Sequence, residues 1–123
     1  MQYNYYFFKV IVMDCIFCKI IAGDIPSKKI YEDDKILAFH DIEPQAPTHA
    51  VIIPKEHIES ANALNADNAD IVSYIFTKIP EIAKTLGLEK GYRVVNNCGP
   101  DAGQTVFHIH FHLMGGDVLG KMA

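Results

Sequence analysis

The sequence lacks three things that would each point to a class of protein. There is no basic surplus: 11 Lys and Arg stand against 15 Asp and Glu, for a net charge of −4. The electrostatic footprint for polymeric nucleic acid is therefore missing. A small phosphate ligand stays open to it, because backbone N–H groups can hold one without many lysines. No apolar run approaches the roughly 20 residues needed to span a bilayer, so no membrane role is expected. Nor is there an even set of cysteines. Cys15, Cys18 and Cys98 argue against a disulfide scaffold. A C-x-x-C pair without an export signal reads as metal-binding or redox, in a reducing, cytoplasmic compartment. Repeats, low-complexity tracts and linkers are also missing, which leaves one domain for 123 residues.

Residues 1–12, MQYNYYFFKVIV, carry five aromatics and one lysine but no small-residue cleavage site, unlike a signal peptide. Met13 follows at once and is the expected natural start. Residues 1–13 are then an N-terminal extension, and residues 14–123 the domain.

Asp14 is expected to cap a short helix with Ile16, Phe17, Ile20 and Ile21 apolar, ended by Gly23 with Pro26 beyond. Residues 29–32 and 36–40 flank the turn Asp33-Asp34-Lys35 and read as a hairpin. Residues 49–54 (HAVIIP) read as a buried strand. Between 66 and 86, Ile71, Ile75, Ile79, Ile82 and Leu86 recur at helical spacing, with Pro80 expected to kink or break that helix. Residues 92–96 and 106–114 are the last two strands. The order α, β, β, β, α, β, β predicts an α+β fold with an antiparallel sheet.

The richest segment is His108-x-His110-x-His112. On a strand, residues two apart share a face, so Phe107, Ile109, Phe111 and Leu113 should face the core and the three imidazoles the other way. Their Cα atoms would lie roughly 6.5–7 Å apart. Imidazole titrates near neutrality, so one ring can attack an electrophile while its neighbours donate hydrogen bonds or protons. Such a row suits a three-histidine metal centre as well as a nucleophile at phosphorus, and spacing alone leaves the two level. A solvated histidine-rich strand is disfavoured by the interleaved large apolars.

The segment from Gly103 to Met114 resembles the signature of the histidine-triad (HIT) family, His-φ-His-φ-His-φ-φ. So do Cys15-Ile-Phe-Cys-Lys-Ile-Ile, Ile25-Pro26, Tyr31-Glu-Asp, Leu37-Ala-Phe-His-Asp-Ile42, Pro44-Gln-Ala-Pro-Thr-His49 and Ile52-Ile-Pro-Lys-Glu-His57. These motifs cover residues 14–116. The Gln-Thr-Val lead-in and the Gly115-Gly116 exit are similar to the Hint-like branch, the purine nucleoside phosphoramidases.

The resemblance implies a five-stranded antiparallel sheet with two helices, paired as a homodimer. It implies hydrolysis of the P–N bond of purine nucleoside 5′-phosphoramidates through a nucleotidyl-histidine. His110 would be the nucleophile. His112 would contact the phosphate, with Gln104 and Thr105 binding phosphate or helping to protonate the leaving amine. Asn97 would lie near the phosphate; its neighbour Asn96 is the alternative register. Ile16, Phe17, Ile20, Phe39 and Ile42 would wall the base with His40 beside them, and Asp41 would read the ribose diol. The loop from Asn97 to Gly103 can cradle phosphate through its N–H groups.

HIT-related proteins that carry the cysteine pair resemble a uridylyltransferase branch with a structural zinc. Carried over, its ligands here would be Cys15, Cys18, His49 and His108. Without the resemblance, the alternatives are a redox couple, which wants a thioredoxin-like strand before it that the sequence does not show, and two buried thiols. His57 reads as a surface or interface residue, and Cys98 as a spectator. A dinucleoside polyphosphate hydrolase, a nucleotidyl transferase, and a non-catalytic zinc- or nucleotide-binding module are the alternative functions.

Overall fold

The computed structural model describes residues 15–122. The proposed extension, the Met13 start and the Asp14 cap lie outside those residues. Among those described, two helices, five strands and two short 3-10 turns follow the expected order.

Helix α1, Ile16–Ala22, is capped by Cys15, whose Sγ accepts from the Cys18 N–H. It ends at Gly23, where φ is 84° and a left-handed turn sends the N–H back to Ile20 O and Lys19 O. Strands β1 (Lys29–Glu32) and β2 (Ile36–His40) form the expected hairpin. Asp33 closes its turn by accepting from the N–H groups of Lys35 and Ile36, and from the phenols of Tyr31 and Tyr74. Tyr74 lies on helix α2, so one carboxylate ties the hairpin to that helix.

Helix α2, Asp70–Thr85, begins four residues after the sequence pattern does. Residues 65–68 are instead held in a turn, where Asn65 Oδ1 accepts from the N–H groups of Asp67 and Asn68. The helix runs through Pro80 without ending. Pro80 is exposed, so the Phe76 carbonyl that loses its donor can turn to water.

Strands β3 (Thr48–Pro54), β4 (Tyr92–Val95) and β5 (Phe111–Gly115) complete one antiparallel sheet of order β1-β2-β3-β5-β4. Gly115 is needed at the β5 exit, because a Cβ there would lie 2.9 Å from Leu88 Cδ2 and 3.1 Å from the Gly91 carbonyl.

The sheet buries both faces. Ile36, Ala38, Ala50, Ile52, Ile109, Phe111 and Leu113 pack on the Ile75, Ile79 and Ile82 stripe of α2. The opposite face sets Leu37, Phe39, Val51 and Ile53 against Cys15, Phe17 and Ile20 of the α1 region. Two-residue alternation along each strand produces this division.

The last strand is shorter than its alternation predicts. The ladder starts at Phe111, not at residue 106. Ahead of it, Ile109 still faces the aliphatic core, but its N–H goes to the Ile58 carbonyl at 2.6 Å, outside the sheet. Phe107, expected in the core, is 45% exposed. Alternation records which face a side chain takes in an extended chain. It does not record whether a neighbouring strand is bonded there.

Candidate active site

His108 and His110 are buried and His112 is half-buried, all on the α1 side of the sheet. The ring centroids of His110 and His112 are 5.1 Å apart. Phe17 stands edge-on to His110 at 5.0 Å and to His108 at 5.9 Å. Helix α1 thereby sets the wall behind the row.

Backbone partners fix the proton on each ring. His110 Nδ1 lies 2.7 Å from the His108 carbonyl. A carbonyl only accepts, so Nδ1 carries the hydrogen and Nε2 keeps a free lone pair. His108 Nε2 meets the Pro54 carbonyl at 2.8 Å, which leaves the lone pair of that ring on Nδ1. His49 Nδ1 accepts from the Gln45 N–H at 3.0 Å, so the His49 hydrogen sits on Nε2. That Nε2 lies 2.8 Å from His112 Nδ1 and 3.4 Å from Asp41 Oδ2. His112 therefore accepts at Nδ1 and has an Nε2–H to donate.

Burial keeps these rings neutral. It pushes His110 below the ordinary imidazole range, against the opposing effect of its bond to the His108 carbonyl. Burial, reinforced by His110 and His49, takes His112 down to about 4. A ring that is uncharged at neutral pH, with one nitrogen fixed as a donor and the other free, is chemically a nucleophile.

Two groups of side chains converge closely enough to hold a metal among the described residues, and His110 belongs to neither. One is Cys15, Cys18, His57 and His108, whose ligand atoms all lie within 4.8 Å of one another. The other is Asp41, His49 and His112.

This corrects the ligand set drawn from the sequence: His57, not His49, completes the cysteine cluster. The reason is position: His49 sits at the His112 end of the row, with Nε2 2.8 Å from His112 Nδ1, whereas the cysteines lie beside His108. With Nδ1 occupied by the Gln45 N–H, neutral His49 has no lone pair left for a metal, and the same bond disqualifies the second group. His57, taken from the sequence as a surface or interface residue, is half-buried with Nδ1 3.3 Å from Cys18 Sγ. His108 Nδ1 lies 3.4 Å from Cys15 Sγ and 3.6 Å from Cys18 Sγ. In a tetrahedral zinc site the edge between a sulfur and a nitrogen ligand is about 3.5 Å, so the donor set fits that ion. The Pro54 carbonyl supplies the outer hydrogen bond that orients a histidine ligand. Burial, with Cys15 alongside, raises the Cys18 thiol to about 12. A bound cation would reverse that shift.

The expected phosphate contacts divide. Gln104 is buried and its amide is fully engaged: Oε1 accepts from the Gly99 N–H, and Nε2 donates to the carbonyls of Glu59 and Val106. It has no hydrogen to offer phosphate. The loop is similarly self-satisfied, since the N–H groups of Ala102, Gly103 and Gln104 bond to Gly99 and Pro100 carbonyls. These N–H groups do not cradle an anion as the sequence reading expected. Thr105 is exposed. Asn97 donates to the Ala102 carbonyl, while Asn96 donates to the His110 carbonyl at 2.9 Å.

The expected base and ribose residues also divide. Phe17, Ile20 and Phe39 are buried in the core beneath the site, whereas Ile16 and Ile42 are exposed. His40, Asp41 and Ile42 line an open cleft of about 700 Å³ with Pro26, Ser27 and Lys28. Cys98 is a half-buried free thiol. Sequence reasoning took His57 for a surface or interface residue and gave Asn96 only as the alternative register to Asn97. For His57 no sequence signal was available, because its place 3.3 Å from Cys18 Sγ is created by the fold. For Asn96 no sequence signal separated it from Asn97.

Residues 22–119 match the HIT domain model. A HIT-like protein of Rickettsia prowazekii is 46% identical over 106 residues, 85% of this chain and 88% of that protein. The crystal structure of a HIT family hydrolase from Legionella pneumophila superposes with a TM-score of 0.84 at 47% identity, covering 87% of this chain and 96% of that one. A histidine triad nucleotide-binding protein from Candida albicans superposes at 0.74 and 36% identity, covering 89% and 86%. With the triad, the five-stranded sheet and these matches in agreement, the chain belongs to the HIT family.

Proposed function

We propose that the protein is a nucleotide hydrolase of the Hint-like kind, cleaving the P–N bond of purine nucleoside 5′-phosphoramidates such as AMP-amine or AMP-lysine conjugates. The observation that carries this reading is the His110 Nδ1–H bond to the His108 carbonyl, which leaves Nε2 as a buried, uncharged nucleophile. The Nε2 lone pair attacks the α-phosphorus. His112 donates its Nε2–H to a non-bridging oxygen and stabilises the charge that develops there. The P–N bond breaks and the amine leaves with a proton, which we assign to relay from solvent through the Thr105 hydroxyl. Water then attacks the nucleotidyl-histidine, releasing the monophosphate and restoring neutral His110.

Asp41 takes the ribose hydroxyls in the cleft that His40 and Ile42 share with it, and the purine lies against Ile16 and Ile42, whose exposed side chains it would cover. Asn97, near the phosphate loop, completes the nucleotide contacts. A zinc ion on Cys15, Cys18, His57 and His108 would be structural, because four protein ligands leave no open position. We further assign a homodimer. Strand β4 lies at the sheet edge with Tyr92 exposed, and α2 exposes Phe76, which stands edge-on to Phe111 of β5. Phe76→Glu is expected to yield a monomer in size-exclusion chromatography with light scattering. Free cysteines fit a cytoplasmic setting.

The deciding assay compares an AMP-amine conjugate with diadenosine polyphosphates. Faster turnover of the conjugate supports the proposal; a preference for the polyphosphate moves the protein to that other hydrolase class. Binding of AMP with no turnover of either makes it a binding module.

A further inference from the structure

His110 immediately precedes the first residue of β5. The last β4 partner in the ladder is Val95, opposite His112, and the last β3 pair is Ile52 with Phe111. The reacting residue thus stands just past the end of the sheet that carries its neighbours. The segment is held by the His108 Nε2–H on the Pro54 carbonyl, the Ile109 N–H on the Ile58 carbonyl, the His110 ring on the His108 carbonyl, and the Asn96 side-chain amide on the His110 carbonyl itself at 2.9 Å. Asn96 follows directly on β4, and its side chain carries the attachment between β4 and β5 one step past the final pair.

From this geometry we infer that Asn96 is a positioning residue for the nucleophile: it clamps the His110 carbonyl from the end of β4 and so fixes the direction in which His110 Nε2 points. The role rests on the proposed function above for its kinetic consequence, but not for its structural one. Asn96 and Asn97 then divide the work of adjacent identical side chains. The Asn97 amide bonds to the Ala102 carbonyl of the phosphate loop, while the Asn96 amide bonds to the chain that bears the attacking ring. If the His110 carbonyl is free to rotate, the peptide linking it to residue 111 turns with it. The Nδ1–H bond to His108 is then held from one side only, and the ring can exchange tautomers.

The test uses the full chain with Asn96→Leu, close to Asn in size but without a donor, and Asn96→Ser, which keeps a shorter one. Two readouts are taken: single-turnover rate with an AMP-amine conjugate alongside AMP affinity by calorimetry, and the imidazole ¹⁵N spectrum of His110. For Asn96→Leu the expected result is a rate about tenfold lower, AMP affinity within about twofold, and loss of the single Nδ1–H signature of His110. Asn96→Ser should recover part of both. A rate and a ¹⁵N signature that match the wild type overturn the inference. So does a rate loss explained wholly by weaker AMP binding. If the wild type turns over no conjugate, the proposed function has failed, and the ¹⁵N spectrum alone decides the role of Asn96: an altered tautomer upholds it and an unchanged one overturns it.

Discussion

Ile36 and Ala38 of β2 face helix α2; Leu37 and Phe39, one residue out of step, face helix α1. The same division runs through β3, and through the segment that ends in β5. There Ile109, Phe111 and Leu113 join the aliphatic side while His108, His110 and His112 join the other. The two faces share strands, register and near-complete burial, yet one is chemically inert. The difference lies in what burial meets. On the α2 side it removes hydrocarbon from water, which stabilises the fold without directional demands. On the α1 side it removes imidazoles from water, and each buried nitrogen must find a partner. Backbone carbonyls hold His108 and His110, a backbone N–H holds His49, and His49 in turn holds His112, which together fix the tautomers. Burial that merely holds the first face together leaves the second with neutral rings whose donor and acceptor nitrogens are set.

This contrast can be broken in four ways, in descending order of effect. His110→Gly should lower single-turnover hydrolysis of an AMP-amine conjugate by about 10⁴-fold or more while AMP still binds, as read by rapid-quench kinetics and calorimetry. An effect under about tenfold would place the chemistry elsewhere. Cys18→Ser, or a strong chelator on the wild type, should lower the Tm by on the order of 10 °C through loss of the metal brace. Adding the chelator to the variant should cost nothing further, and metal content by mass spectrometry should show one zinc per wild-type chain and none in the variant.

Ile79→Ala on the inert face should cost about 3 kcal/mol in chemical denaturation, because it leaves a cavity among well-packed aliphatics. Turnover per folded molecule should not change. A loss of rate in the folded variant would mean that the two faces are coupled. The smallest effect concerns pH. His112 is held at about 4 in the fold against an ordinary value of 6.5. Between those values the unfolded chain binds the extra proton, so stability rises with pH across that window and is lost as pH falls from 6.5 towards 4. His112→Asn should flatten the slope of Tm against pH there.

Much of this was legible in the residues. The hairpin was readable because Asp33-Asp34-Lys35 is a turn between two short apolar runs, and turn chemistry is local. The α2 stripe was readable because spacings of three and four survive any tertiary context. The helix start was not: the asparagines at 65 and 68 compete for the backbone, and their turn delays it to Asp70. Within the site, the histidine row announced its face, while its spacing left a metal centre and a nucleophile level. Which of His49 and His57 reaches the cysteines was not legible, because it depends on the fold setting His57 against Cys18 and His49 against His112. The amide of Gln104 looked like a phosphate ligand for the same reason: its three backbone partners come from residues 59, 99 and 106, brought together by the fold.

The most direct measurement is intact-protein and peptide mass spectrometry of a reaction quenched within the first turnover of an AMP-amine conjugate. An adenylyl group covalently attached to His110, formed and lost at rates that account for turnover, is the expected result. Turnover without an adduct, or an adduct on His49, His112 or a cysteine, would contradict the assignment of His110 as the attacking group.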